Sequence, residues 1–192
     1  MTRSRPRIGG VVVVAVLVAI VGGAVLFGHV RQHWLPDLSR FDVHIEASAK
    51  EFDVDPNLVR GLMAAESGGD PDAVSHAGAV GLLQLMPPTA QEQATRLRIP
   101  DYAERRLTEP ALNVRLGTSY LARLLRYYDG EEAYALAGYN AGLGRVNGWR
   151  KAAPDLEPAE VIRTQGFEET RNHLERVLRF REQYRARYPN ER

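Results

Sequence analysis

Residues 66–90 read ESGGDPDAVSHAGAVGLLQLMPPTA, a loop rich in glycine and proline that separates two apolar helical segments. The segment before it carries an apolar stripe that includes Val59, Leu62 and Met63. Glu66 lies three and four residues beyond Met63 and Leu62, so it falls on the same stripe. An apolar setting favours a protonated carboxyl group, which can donate a proton to a leaving oxygen. Spacing alone nevertheless favours a glutamate that points to water past the last turn, and both interpretations stay open.

Helical periodicity continues on both sides of this stretch. Asp55-Pro56 predicts an N-cap followed by proline at the first helical position, and Ser67-Gly68-Gly69 predicts the end of that helix. An earlier helix begins near residue 42, with Val43, Ile45 and Ala49 on its apolar face. Further helices are predicted over 88–97, 109–128, 131–142 and 168–188. Because no convincing strand pattern of period two is present, the predicted fold class is mainly α.

The composition is that of a globular protein, with 44% apolar and 26% charged residues. The chain has no cysteine, which excludes disulfides and thiolate metal sites, and the sequence predicts neither a metal nor a cofactor. Residues 29–192 carry 22 Lys and Arg against 24 Asp and Glu. A nucleic-acid-binding domain normally has a strong basic excess, so the composition speaks against nucleic acid as a partner.

Residues 8–28, IGGVVVVAVLVAIVGGAVLFG, contain no charged or strongly polar side chain. As a helix this segment would reach about 31 Å, enough for a hydrocarbon core of roughly 30 Å. Three arginines precede it, which predicts a cytoplasmic N-terminus. An uncleaved anchor is favoured over a cleaved signal peptide because the small-residue cleavage site is poor. The predicted organisation is a cytoplasmic N-terminus over 1–7, a transmembrane anchor over 8–28, a linker over 29–41 and one globular domain over 42–192.

The 66–90 stretch resembles the signature of the lytic transglycosylase family, in the catalytic domain of the soluble type. That signature runs Glu-Ser, Pro, Ser, Gly-Ala-x-Gly-Leu-Met-Gln and Met-Pro-x-Thr-Ala. The positions that match in order and spacing are Glu66-Ser67, Pro71, Ser75, Gly78-Ala79, Gly81-Leu82, Gln84, Met86-Pro87 and Thr89-Ala90. Residues 109–121, 135–149 and 167–177 resemble later motifs of the family, the last of which reads Glu-Thr-x-x-Tyr-Val. The resemblance implies a lysozyme-like α fold, close to that of goose-type lysozyme.

The resemblance also implies an activity: cleavage of the β-1,4 bond between N-acetylmuramic acid and N-acetylglucosamine in peptidoglycan. The product is a 1,6-anhydro end, formed without water. In the family's scheme Glu66 first protonates the leaving oxygen and then takes the proton of the muramyl C6 hydroxyl. Residues implied to contact the glycan are Ser75, Gln84, Met86, Tyr139, Asn140 and Glu168.

This substrate implies a bacterial envelope. The anchor would then lie in the inner membrane, with the domain in the periplasm. Whether the chain also works with envelope-spanning machinery stays open, as does endo against exo cleavage. Two other functions also stay open: a goose-type-like lysozyme, which would need a second acid such as Asp70 or Asp72, and a non-catalytic glycan-binding module.

His173 occupies a position where the family usually has tyrosine. A histidine titrates closer to neutral pH than a phenol does. A pH–rate profile unlike that of relatives with tyrosine is therefore predicted if His173 reaches the cleft. It lies five residues from Glu168 and so off that residue's helical face. The sequence slightly favours an outward-facing His173 that changes nothing.

Overall fold

Eight α-helices are found in residues 35–189, the part of the chain that the computed structural model describes. In chain order they are α1 (Asp42–Phe52), α2 (Pro56–Glu66), α3 (Pro87–Arg96), α4 (Pro110–Tyr127), α5 (Glu132–Ala141), α6 (Leu143–Ala152), α7 (Pro158–Gln165) and α8 (Glu168–Arg187). Ser39–Phe41 and Glu104–Thr108 form short 3-10 helices. Strand pairing in the described residues is limited to isolated bridges within the α2–α3 loop. The prediction of a mainly α fold is confirmed.

α2 is buried over most of its length, and its start follows the local sequence signals. Asp55 Oδ1 accepts a hydrogen bond from the Asn57 N–H at 2.8 Å, and Pro56 occupies the first helical position. Its apolar stripe is fully buried. The helix ends at Glu66, directly before the Ser-Gly-Gly run, as the sequence predicts.

α2 and α8 run in opposite directions and cross in backbone contact at Gly61. A Cβ atom on Gly61 would lie 2.7 Å from the Val177 carbonyl oxygen and 2.8 Å from the Arg181 nitrogen. Both neighbours are backbone atoms, so only glycine allows the helices to approach this closely. This crossing determines which residue of α8 lies beside Glu66.

Two sequence-based assignments differ from the structure near the start of the unit. Val43 is 78% exposed, because the buried face of α1 is formed by Ile45, Ser48 and Ala49. Residues 36–41 were assigned to a linker but belong to the compact unit that begins at Pro36. Leu38 and Phe41 are buried there.

α6 and α7 were missed by the sequence reasoning. Val146 is the one buried residue of α6, whose Gly144 and Gly148 face open space, so its apolar periodicity is weak. α7 has eight residues and buries only Val161 and Ile162. Such short apolar patterns do not distinguish a helix from a loop.

The predicted anchor over 8–28 lies outside the described residues. Within residues 35–189, no helix combines the length and the apolar character that crossing a membrane requires.

Candidate active site

Glu66 is the last residue of α2, and its side chain is 15% exposed. The helix that carries it is buried along its whole apolar stripe. The carboxyl group is therefore largely withdrawn from water while part of it stays accessible. The interpretation that Glu66 points to water past the last turn is wrong.

His173 lies directly against Glu66. Its Nε2 atom is 2.9 Å from Glu66 Oε1, and its side chain is 2% exposed. The outward orientation that the sequence favoured is wrong. Thr170, His173, Leu174 and Val177 follow helical spacing and form the buried face of α8. The sequence contains this spacing, but the orientation of His173 was judged only from its distance to Glu168, so the buried face was missed.

Polar side chains hold the loop between α2 and α3 in one path. The Ser67 hydroxyl donates to the Leu82 carbonyl oxygen at 2.9 Å. Gln84 Nε2 donates to the carbonyl oxygens of Ala73 and Gly81 at 3.0 and 2.9 Å. Ser75 Oγ accepts a hydrogen bond from the Ala79 N–H at 2.9 Å. In this structure Ser75 and Gln84 therefore stabilise the loop, and their contact with a glycan remains a prediction.

Asn113 of α4 ties this loop to the helical core, and the sequence reasoning did not single it out. Its Oδ1 atom accepts from the Leu83 N–H at 2.8 Å. Its Nδ2 atom donates to the carbonyl oxygens of Val80 and Leu107 at 2.9 and 2.8 Å. A fully buried asparagine with three backbone partners fixes the position of residues 80–83.

Tyr139 of α5 approaches the same loop from the other side. Its hydroxyl donates to the Leu83 carbonyl oxygen at 2.8 Å, and its ring lies 5.1 Å from that of Tyr120. Burial, and then the charge of Glu66, hold the pKa of the Tyr139 phenol well above its usual value. The phenol therefore stays neutral and keeps its donor proton beside the loop.

Asn140 follows Tyr139 and contacts α8. Its Oδ1 atom accepts a hydrogen bond from the Thr170 hydroxyl at 2.7 Å. Thr170 lies one turn before His173 on the same face, so this bond links α5 to the segment that presents the imidazole. Gly142, with φ of +86°, is the C-cap of α5.

The two remaining predicted residues lie at the surface. Met86 is 41% exposed and directly precedes α3. Glu168 is exposed in the first turn of α8, beside Glu169, which is also exposed. Counted back from Thr170 and His173, the Glu-Thr-x-x-Tyr-Val pattern places its glutamate at Glu169. The assignment to Glu168 is one residue out of register with that motif.

Comparison with known proteins gives a consistent result. Residues 44–162 match the family model described as the transglycosylase SLT domain. The soluble lytic murein transglycosylase of Salmonella typhimurium is 34% identical over 135 residues, which is 69% of this chain and 21% of that protein. Membrane-bound lytic murein transglycosylase C of Actinobacillus pleuropneumoniae is 31% identical over 163 residues, covering 73% of this chain and 44% of that protein.

Solved structures show the same fold. An inactive mutant of the lytic transglycosylase Slt from Pseudomonas aeruginosa superposes with a TM-score of 0.73 at 33% identity, over 78% of this chain and 24% of that one. The 70-kDa soluble lytic transglycosylase in complex with bulgecin A gives 0.73 at 29% identity, over 77% and 24%. The chain spans about a fifth of the length of its soluble relatives.

Proposed function

Because the chain belongs to the transglycosylase SLT domain family, we propose that it is a peptidoglycan lytic transglycosylase. It cleaves the β-1,4 bond between N-acetylmuramic acid and N-acetylglucosamine and leaves a 1,6-anhydro end. One observation carries this proposal above all: the glutamate of the matched signature is a largely buried carboxyl group at the junction of α2, α8 and the 66–90 loop.

A glycosidase normally needs two carboxyl groups, one as acid and one as base or nucleophile. Asp70 and Asp72 were the candidates for the second group in a hydrolase. Both are exposed, and Asp70 Oδ1 accepts a hydrogen bond from the Asp72 N–H at 3.0 Å within their own turn. This arrangement favours a reaction in which a single carboxyl group acts twice.

In that reaction Glu66 donates its proton to the glycosidic oxygen as the bond from that oxygen to muramyl C1 breaks. The C6 hydroxyl oxygen of the same muramyl residue then bonds to C1. Its proton passes to the Glu66 carboxylate, which restores the starting acid. No water enters, and each atom of the substrate is found in one of the two products.

The side chains around Glu66 are proposed to hold the glycan. Tyr139 presents a neutral phenol and fixes the Leu83 carbonyl oxygen, and Asn140 connects the same region to α8. Ser75 and Gln84 shape the loop and face the sugar through the hydrogen-bonding capacity that the loop does not use. Met86 extends the contact surface from an exposed position, and Glu168 does so beside Glu169, the glutamate that the motif itself matches.

We propose that residues 8–28 anchor the enzyme in the bacterial inner membrane, with the catalytic domain in the periplasm. The length and uncharged character of that segment support this location. A membrane-bound lytic murein transglycosylase among the relatives is consistent with it.

Digestion of isolated sacculi by the full chain, followed by mass spectrometry, tests the proposal. We expect 1,6-anhydro ends, and we expect Glu66→Gln to lower their rate of formation by about 10²–10⁴ while the fold is retained. Glu175→Gln, on the exposed side of α8, is the matched control and should act like wild type. Reducing ends would indicate a hydrolase, and binding without product would indicate a glycan-binding module. Either outcome contradicts the proposal.

A further inference from the structure

Only one of the two ring nitrogens of His173 has a hydrogen-bond partner among the described residues. Nε2 lies 2.9 Å from Glu66 Oε1. Nδ1 is buried and has no hydrogen-bond partner in the described residues. A neutral imidazole has one N–H donor and one acceptor nitrogen, so this geometry bears on where the ring proton lies.

A buried N–H without an acceptor is costly, and such orphaned donors are rare in proteins. A proton on Nδ1 would be such a donor. A proton on Nε2 has Glu66 Oε1 as its acceptor and leaves only a lone pair unpaired. The geometry therefore assigns the neutral tautomer with its proton on Nε2.

The same reasoning applies when the pair takes up a second proton. On the imidazole, this proton would go to Nδ1 and become a buried donor with no acceptor in residues 35–189. On the carboxyl group it goes to Glu66 Oε2, since Nε2–H already donates to Oε1. The acidic proton then lies on the carboxyl oxygen that His173 does not bind.

We infer that His173 is a positioning residue, which holds Glu66 by Oε1 through Nε2–H and thereby directs Oε2, with its proton, toward the glycosidic oxygen. This inference rests on the proposed function. It differs from the sequence-based expectation that protonation of His173 itself shapes the pH–rate profile. Here the ring acts as a fixed hydrogen-bond donor to Glu66.

Charged and titratable groups on the helices packed against α8 have other partners. On α2, Arg60 pairs with Asp42. On α5, Glu132 pairs with Arg181, and the neutral Tyr139 binds Leu83. α5 also carries Tyr134, and on α7 Glu160 and Arg163 pair with each other. On α8 itself, the titratable groups next to His173 include the exposed Glu169 and Arg176. Among the described residues, Glu66 alone is hydrogen-bonded to the imidazole.

Two substitutions in the full chain separate a donor role from packing. His173→Phe keeps an aromatic ring but removes the N–H, and His173→Gln keeps an N–H at a similar reach. On soluble uncrosslinked peptidoglycan strands, we expect His173→Phe to lower kcat about 10- to 100-fold. KM should stay within about twofold, because the lost bond acts on the acid and not on the glycan. His173→Gln should restore kcat to within about fivefold of wild type, with an unchanged pH–rate shape.

Phe180→Leu is the matched packing control, since Phe180 is buried on the same helix two turns away. It should lower thermal stability and leave kcat unchanged. Equal losses of kcat in the Phe and Gln variants at position 173 would overturn the donor role.

A spectroscopic measurement tests the protonation state without relying on activity. In protein labelled with ¹⁵N-histidine, the signals of His173 should be those of a ring that carries its proton on Nε2 and not on Nδ1. Signals of the tautomer protonated on Nδ1 would overturn the inference. If wild type makes no anhydro ends, the proposed function fails. If it makes them and His173→Phe is fully active, the inference alone fails.

Discussion

Two ionisable residues of α2, six positions apart, differ in how completely they are buried and in how many hydrogen-bond partners they have. Arg60 is completely enclosed, with its guanidinium 2.9 Å from Asp42 Oδ1, 3.3 Å from Asn57 Oδ1 and 4.2 Å from the ring centre of Tyr188. Glu66 keeps a partly exposed carboxyl group and has a single hydrogen-bond partner among the described residues. The several partners of Arg60 give its charge a role in stability, whereas the single partner of Glu66 leaves one carboxyl oxygen available for chemistry.

Replacing Arg60 should have the largest effect on stability. Arg60→Met leaves the Asp42 carboxylate without its main partner, and removal of one member of a buried pair costs about 3–5 kcal/mol. Because Asp42 is 23% exposed and water can reach it, we expect the free energy of unfolding to fall by about 2–4 kcal/mol. Activity per folded molecule should not change. Urea denaturation measures the first quantity and anhydro-product assays measure the second.

Arg115→Met is the control for this substitution, since Arg115 pairs with Glu51 at the surface, and it should cost less than about 1 kcal/mol. If Arg60→Met loses activity while its stability is unchanged, the assignment of Arg60 to stability and Glu66 to chemistry is wrong. It is also wrong if Glu66→Gln unfolds the protein, because the amide oxygen can still accept from His173.

Gly61→Ala lies between Arg60 and Glu66 on α2 and should affect both stability and activity. The added Cβ meets the backbone of α8, and overpacking of this kind costs about 1–3 kcal/mol. The helix preference of alanine offsets up to about 1 kcal/mol of this, so a net loss of about 1–2 kcal/mol is expected. A shift of α8 also moves His173, so kcat should fall.

Gly148→Ala is the matched control, because a Cβ there meets no atom within 4 Å. It should leave stability unchanged or raise it slightly. A Gly61→Ala variant with wild-type kcat would show that the Glu66–His173 contact tolerates movement of α8.

The smallest effect is expected at Tyr139, and it depends on pH. At pH 8 Tyr139→Phe should lower the free energy of unfolding by about 1 kcal/mol through the lost bond to Leu83. The pKa of Tyr139 is raised in the folded state, so its stabilising contribution is complete below the unfolded value near pH ~10 and decreases above it. Ionisation of the unfolded phenol removes about 1.4 kcal/mol of this contribution by pH ~11, so the difference between wild type and Tyr139→Phe should vanish and reverse slightly in sign. Denaturation curves at both pH values check this, and a constant difference would contradict it.

Local signals in the sequence predicted the parts of the fold that local chemistry decides. The Asp55 cap, the end of α2 at Glu66 and the long α4 follow from residues within one or two turns of each feature. The assignment of Val43 to the buried face failed because the face of a helix that becomes buried depends on what packs against it.

The candidate site was predicted in the same uneven way. Glu66 and its loop were found from contiguous sequence. The position of His173 depends on a helix crossing between segments 107 residues apart in sequence, which no local pattern encodes. Asn113 was missed for the same reason, because its bond to Leu83 spans 30 residues.

The close approach at Gly61 also has a consequence for the timing of biosynthesis. The ribosome completes α2 and the whole 66–90 stretch before it begins α8, whose first residue, Glu168, lies 78 positions beyond Ala90 (168 minus 90). Until that helix docks, the carboxyl group has no imidazole beside it, and Asn140 has no threonine to bind. A nascent or clipped chain thus carries the complete signature and an incomplete centre, so the proposed activity is expected to reach its full rate only after the C-terminal helix has docked.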